Sequence, residues 1–146
     1  MALVNTFNVG HDISVDSVDP VTGKMISWPP PTGFSRSPAQ KMLMSEPITQ
    51  PPIHRIVEGG WHGTMDFDRS DNSVDSFFAR NEALYWQGVD IVGGTITETI
   101  KEKDGSVSQY QYTNVTFQYS NAGHWRAQDK VPIQVSWSAS QRLQVV

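Results

Sequence analysis

The 146 residues contain no cysteine. That excludes a disulfide scaffold, a thiolate zinc site and a cysteine nucleophile. No stretch approaches the ~20 apolar residues needed to cross a bilayer as a helix. The opening "MALVNTFNVGHD" has neither a basic start nor a long apolar run, so no signal peptide is expected. The expectation is a soluble protein made in a cytoplasm, without membrane insertion. Basic charge is also short. Eleven Lys and Arg stand against fifteen Asp and Glu, a net charge of −4. A surface built to hold nucleic acid needs the opposite sign. Nothing in this balance stops DNA from sliding past without sticking.

Signatures of chemistry are missing too. The four histidines, His11, His54, His62 and His124, form no HxxxH or HExxH pair. "DFDRSDNS" offers Asp66 and Asp68 as calcium ligands. It then places Asp71 where the loop needs glycine and Phe77 where it needs a bidentate Glu. There is no GxSxG, P-loop or GxGxxG. Glu98 and Glu102 on one strand face make a poor glycosidase pair. The expectation is a protein that is not an enzyme and needs no cofactor or metal.

What is present reads as one domain, 38% hydrophobic and rich in strands. "HDISVDSVD" alternates as a half-buried strand. "IVEGGWHGTMDFDR" sends Trp61, Gly63, Met65 and Phe67 one way. "NSVDSFFARNEALYWQG" is the one convincing helix, about residues 72–87. Its stripe is Val74, Phe77, Phe78, Leu84 and Tyr85, with Asn72 or Ser73 as cap and Gly88 at the C-terminal end. "VPIQVSWSASQRLQVV" alternates throughout and is too long for one straight strand, so a bend is expected.

Residues 20–52 hold eight of the nine prolines. Proline denies them an inner strand or a long helix. Yet they carry Met25, Ile26, Trp28, Phe34, Met42, Leu43, Met44 and Ile48, too apolar for a plain linker. The segment is either a loop packed on its own domain or an arm that packs on a neighbouring subunit.

"TITETIKEKDGSVSQYQYTNVTF" reads as a hairpin turning at Asp104-Gly105, with a two-residue type I′ loop. That register puts Ile96, Glu98, Ile100 and Glu102 on one face with Val107, Gln109, Gln111 and Thr113. Thr97, Thr99 and Lys101 then share the other with Ser108, Tyr110 and Tyr112. Neither face is properly apolar. A change of phase near Thr113-Asn114 predicts a bulge or bend. Polar sheet faces with weakly guarded edges fit a wall shared between copies of the chain, in which ring closure removes the edges.

The order of these pieces carries a resemblance. "HDISVDSVDPVTG", the Pro-rich segment, "GGWHGTMDFDRSDNSVDSFFARNEALYW", "GGTITETIKEKDGSVSQYQYTNVTF" and "KVPIQVSWSASQRLQV" together resemble the tail tube proteins of contractile-tailed bacteriophages. They are more distantly similar to the tube proteins of type VI secretion and other contractile injection systems. The resemblance runs from about residue 10 to the end. It implies a small antiparallel β-barrel or sandwich with one flanking helix and a long Pro-rich loop. It implies hexameric rings stacked into a tube within a virion tail assembled in the host bacterial cytoplasm. Partners would be the chain itself and the sheath, tape-measure, baseplate and terminator proteins, with DNA only in transit. Glu98, Glu102, Gln109 and Gln111 become candidate lumen residues. Trp28, Phe34, Met42, Met44, Ile96 and Ile100 become candidate contacts between subunits or rings. The alternatives are another tail or baseplate component, a secretion tube protein, or a sugar-binding β-sandwich using its tryptophans.

Overall fold

The computed structural model describes residues 7–91 and 93–146. Seven strands run antiparallel: β1 (Ile13–Val18), β2 (Gly33–Ser45), β3 (Ile53–Asp68), β4 (Gly94–Lys101), β5 (Val107–Asn121), β6 (Pro132–Ala139) and β7 (Gln141–Gln144). One helix, α1 (Ser73–Trp86), lies between β3 and β4. The order across the sheet is β1-β4-β5-β6-β3-β2, with β7 also paired to β5. The sheet curls into a half-barrel with one flanking helix, the expected mainly-β class.

The curl has local causes. Along β5 the first part pairs with β4 and β7, and the second part with β6. The switch falls at Asn114, whose φ is +54°, at the predicted bend. Asparagine tolerates this left-handed backbone better than most residues. It lets both Tyr112 and Val115 point inward. The C-terminal run bends as well: it breaks at Ser140 and crosses from β6 onto β5 as β7.

The core is one cluster. Met65, Phe67, Ile96, Tyr112, Val115, Ile133, Val135 and Trp137 are buried, with Val74 of the helix against them. These residues follow the period of two in β3 and β6 that the sequence displays. Trp28 arrives from the Pro-rich segment and packs edge-on against Phe67, Phe77 and Phe117, at 5.6, 5.1 and 5.4 Å. It is partly buried and packs against the core of its own subunit. Phe34 likewise stacks on Trp137 at 5.8 Å.

Helix α1 buries Val74 and Phe77, and Phe78 stacks on Tyr119 at 4.5 Å. It ends as expected, with Gly88 at φ +81° and the Val89 N–H donating to the Leu84 carbonyl. Two details differ. Tyr85 is exposed, because the stripe turns away from the sheet in the last turn. At the start, Asp71 rather than Asn72 or Ser73 accepts the Ser73 N–H.

An ion pair pins the helix to the end of β1. Arg80 donates to both carboxylate oxygens of buried Asp19, at 2.5 and 2.8 Å. Burial raises the Asp19 carboxyl, but Arg80 and the Val21 N–H outweigh it and hold it below the ordinary range. A depressed carboxyl stabilises the fold above its unfolded pKa of about 3.9 and loses that contribution as pH falls through the folded value. Asp19→Asn is therefore expected to cost about 1–2 kcal/mol at neutral pH. The deficit against the parent should shrink below about pH 4. Urea melts at both pH values check this, and an equal deficit at both would refute it.

Candidate assembly surface

The hairpin that opens the question of function has a different loop from the expected one. Asp104 keeps an ordinary φ and only Gly105 is left-handed, at +90°. The Glu102 N–H donates to Ser106, and Lys101 pairs with Val107. The loop is one residue longer than the two-residue turn. One residue of slip exchanges the faces of one strand against the other. Ile96 now lies opposite Tyr112, Glu98 opposite Tyr110 and Ile100 opposite Ser108. This face turns inward and buries Ile96, Glu98 and Tyr112. The opposite face carries Thr97, Thr99, Gln109 and Gln111, beside Ser14 and Asp16 of β1.

The candidate lumen residues therefore separate. Gln109 and Gln111 lie on the outward polar face. Glu102 sits in the turn. Glu98 is fully buried inside the subunit, and so is Ile96. Neither can line a channel or meet a neighbour while the subunit is folded; the corrected register is the reason. Ile100 shares their inward face near the hairpin end and is half-buried.

Glu98 makes an ion pair with Arg36 of β2. Arg36 also donates to the Tyr112 hydroxyl at 3.4 Å and lies 5.7 Å from the Tyr110 ring. Arg142 of β7 sits between Trp61 and Tyr110, at 4.0 and 4.4 Å from their ring centres. Burial pushes the Glu98 carboxyl up, against the pull of Arg36, Tyr112 and Arg142. The cluster joins β2 and β3 to β4, β5 and β7 across the half-barrel. Among the described residues Glu98 Oε2 is buried without a hydrogen-bond partner. Among the described residues no group of His, Asp and Glu could hold a metal ion.

The Pro-rich segment supplies the larger surprise. Gly33–Ser45 within it is a strand, and it pairs with β3 along its whole length. Pro38 is tolerated because β2 is an edge strand, and the ladder shifts register between Pro38 and Gln40. Opposite this bulge lie Gly59 and Gly60. A Cβ on Gly59 would stand 2.5 Å from the Ala39 carbonyl oxygen, and Gly60 has φ +90°. Beyond that point only two strands continue. β6 pairs with β3 from Trp61 onward, so Gln40–Ser45 and Ile53–Glu58 pair with each other alone.

This two-stranded arm is exposed and carries apolar side chains among polar ones. Met42 is 63% exposed and Met44 55%, with Leu43, Ile53, Ile56 and Val57 close behind. Ile48 at the tip is fully exposed. Isolated two-stranded ribbons are marginal in water, and apolar patches of this kind mark interaction surfaces. Met42 and Met44, candidate contacts from the sequence, are both exposed on the arm. Ile53, Ile56 and Val57 lie ahead of Gly59-Gly60, where the sequence pattern of the strand starts only at Trp61, and so carry no signal there.

No protein-family model matches the chain, and no curated protein matches it in sequence. Solved structures do match in shape. A chain of the sheath/tube terminator of the PVC extracellular contractile injection system, in the extended state, superposes with a TM-score of 0.71 at 9% identity, covering 99% of this chain and 100% of that one. The fold is that of contractile injection system components. A chain of the PVC sheath-tube complex gives a TM-score of 0.68 at 10% identity, over 97% of this chain and 93% of its own. A chain of the anti-feeding prophage baseplate gives 0.60 at 7%, over 97% of both.

Proposed function

We propose that the chain is the structural subunit of a bacteriophage-type tail tube, and not an enzyme. Hexameric rings of it stack within a contractile tail, and their lumen conducts DNA and tape-measure protein. The observation that carries this reading is the arm. Among the described residues its apolar side chains stay largely exposed, while the body beneath it has a buried core. In this reading copies of the chain itself cover the arm. Sheath, baseplate and terminator proteins are the further partners that such a tube requires.

The lumen wall is assigned to the outward face of β1, β4 and β5, in place of Glu98. Thr97, Thr99, Gln109 and Gln111 form its middle, with Asp16 as the nearby charge. A neutral to acidic wall gives phosphates nothing to neutralise, so DNA passes without being held.

A second reading has its own support. The match to a sheath/tube terminator structure spans the full length of both chains. A terminator would form one ring and stop. Negative-stain electron microscopy of the purified chain beside sedimentation velocity separates the two. Hollow open-ended tubes are the expected result. Closed single rings would favour the terminator, and a monomer at every concentration would count against both.

A further inference from the structure

Strands β2 and β4 stand on opposite limbs of the half-barrel. The sheet runs β4-β5-β6-β3-β2, so three strands separate them. Arg36 of β2 nevertheless reaches Glu98 of β4. Its register partner is Gly63, which faces Trp137 of β6 in turn. A Cβ on Gly63 would meet the Ser35 carbonyl oxygen at 1.9 Å, so this row carries no side chain between Arg36 and Trp137. Among the described residues no other ion pair joins the two limbs. Past Arg36, every residue of β2 except Ala39 is exposed. Arg36 is thus the last point at which this edge strand is tied across the mouth of the half-barrel.

The tie is chemically lopsided. Glu98 is fully buried, yet only its Oε1 accepts from Arg36, and Oε2 has no partner. The Arg36 side chain is 31% exposed and shares its donors with the Tyr112 hydroxyl. Around the carboxylate, β5 supplies Tyr110 and Tyr112, and β7 supplies Arg142, which is stacked between Trp61 and Tyr110. From β1 its register partner is Val15, and β3 and β6 present Trp61 and Trp137, all without charge. Removing a carboxylate from water costs more than one half-solvated guanidinium returns when half its acceptors stay unpaired. The neutral acid still accepts from Arg36 and has no charge to desolvate. Burial accordingly pushes the Glu98 carboxyl up.

We infer that Glu98 and Arg36 form a proton-sensitive clasp across the mouth of the half-barrel, and that the neutral acid holds β2 closed more firmly than the carboxylate does. When β2 lifts, Glu98 meets water and its carboxyl returns towards its ordinary value. A carboxyl raised in the closed form favours closure below that raised value and loses this contribution as pH rises through it. The clasp is therefore loosest at neutral pH and tightens on acidification. The Asp19–Arg80 pair behaves in the opposite sense. Its carboxyl is held below the ordinary range, so it weakens only at lower pH, and the two windows do not overlap. The clasp belongs to the single subunit, whatever that subunit assembles into.

Hydrogen exchange on the full chain, read by mass spectrometry and corrected for the intrinsic pH dependence, tests this between about pH 8 and about pH 5. On acidification, peptides from Gly33 to Ser37 should exchange about fivefold more slowly relative to those of the β5–β6 ladder. Glu98→Gln keeps the shape and removes the charge. It should show the slow β2 exchange at every pH in that range. A flat response in the parent, or a response that persists in Glu98→Gln, would overturn the clasp. So would a Glu98→Gln chain that loosens β2 at neutral pH or does not fold. The Glu98 carboxyl carbon, followed by NMR in the parent, gives a second reading that needs no variant. It should titrate above the ordinary glutamate range, in step with β2. Titration within or below that range would sink the proposal.

Discussion

An Ile96→Lys chain is expected not to fold, so it should show no dispersed amide spectrum and no cooperative melt. The cause is burial. Ile96 is 0% exposed and sits in the core against Tyr112, with Ser17 of β1 opposite on its other side. A lysine there loses the apolar contact and must desolvate an ammonium. Glu98, two residues on, does not rescue it, since Arg36 already engages that carboxylate. The combined cost is about 4–5 kcal/mol or more, a large share of the roughly 5–15 kcal/mol that holds a domain together. Thr97→Lys is the matched control. It points to the opposite face of the same strand, beside Gln111, and should stay within about 0.5 kcal/mol of the parent. The pair tests the register itself. The two-residue turn would put Ile96 opposite Thr113, on an uncovered face shared with Gln111 and Gln109. It predicts a folded Ile96→Lys monomer that merely fails to assemble. Recovery of such a monomer would mean that the one-residue-longer loop is wrong.

That loop shows where sequence reading stops. An Asp-Gly pair suits a two-residue type I′ turn, but equally a longer turn closed by a left-handed glycine. Local chemistry does not choose between them. The choice is made by burial, which brings Ile96 and Ile100 onto the face of Tyr112. Elements whose own pattern carries the signal were readable: the helix by its Val74, Phe77, Phe78 spacing, β3 and β6 by alternation, and the bend at Asn114 by its change of phase. The strand inside the Pro-rich segment was hidden for a physical reason. Proline argues against a strand only where its missing N–H would be needed, and Pro38 sits on an edge beside a bulge. Trp28 and Phe34 show no core phase in their own segments, and only the folded half-barrel reveals that both pack, partly buried, against its core.

Excising the arm should separate folding from assembly. Gln40 and Glu58 are register partners, so residues 41–57 can be replaced by Asn-Gly as a tight hairpin turn. None of the twelve core residues falls in the excised stretch. The nearest ladder to the body, β3 with β6, begins at Trp61. Shortening a surface connection carries little entropic cost, so the body should keep its stability within about 1 kcal/mol. Assembly should be abolished, because every exposed large apolar residue from Met42 to Val57 has gone with the arm. Thermal melts read the first effect, and sedimentation velocity with electron microscopy reads the second. Tubes or rings from the excised chain would remove the arm from the interface and shift the weight to the free edges of β1 and β2. Loss of the fold would instead mean that the arm supports its own subunit. The exposure of its side chains argues against that, because a ribbon that pairs only with itself beyond Gly60 gives the body no apolar contact to lose.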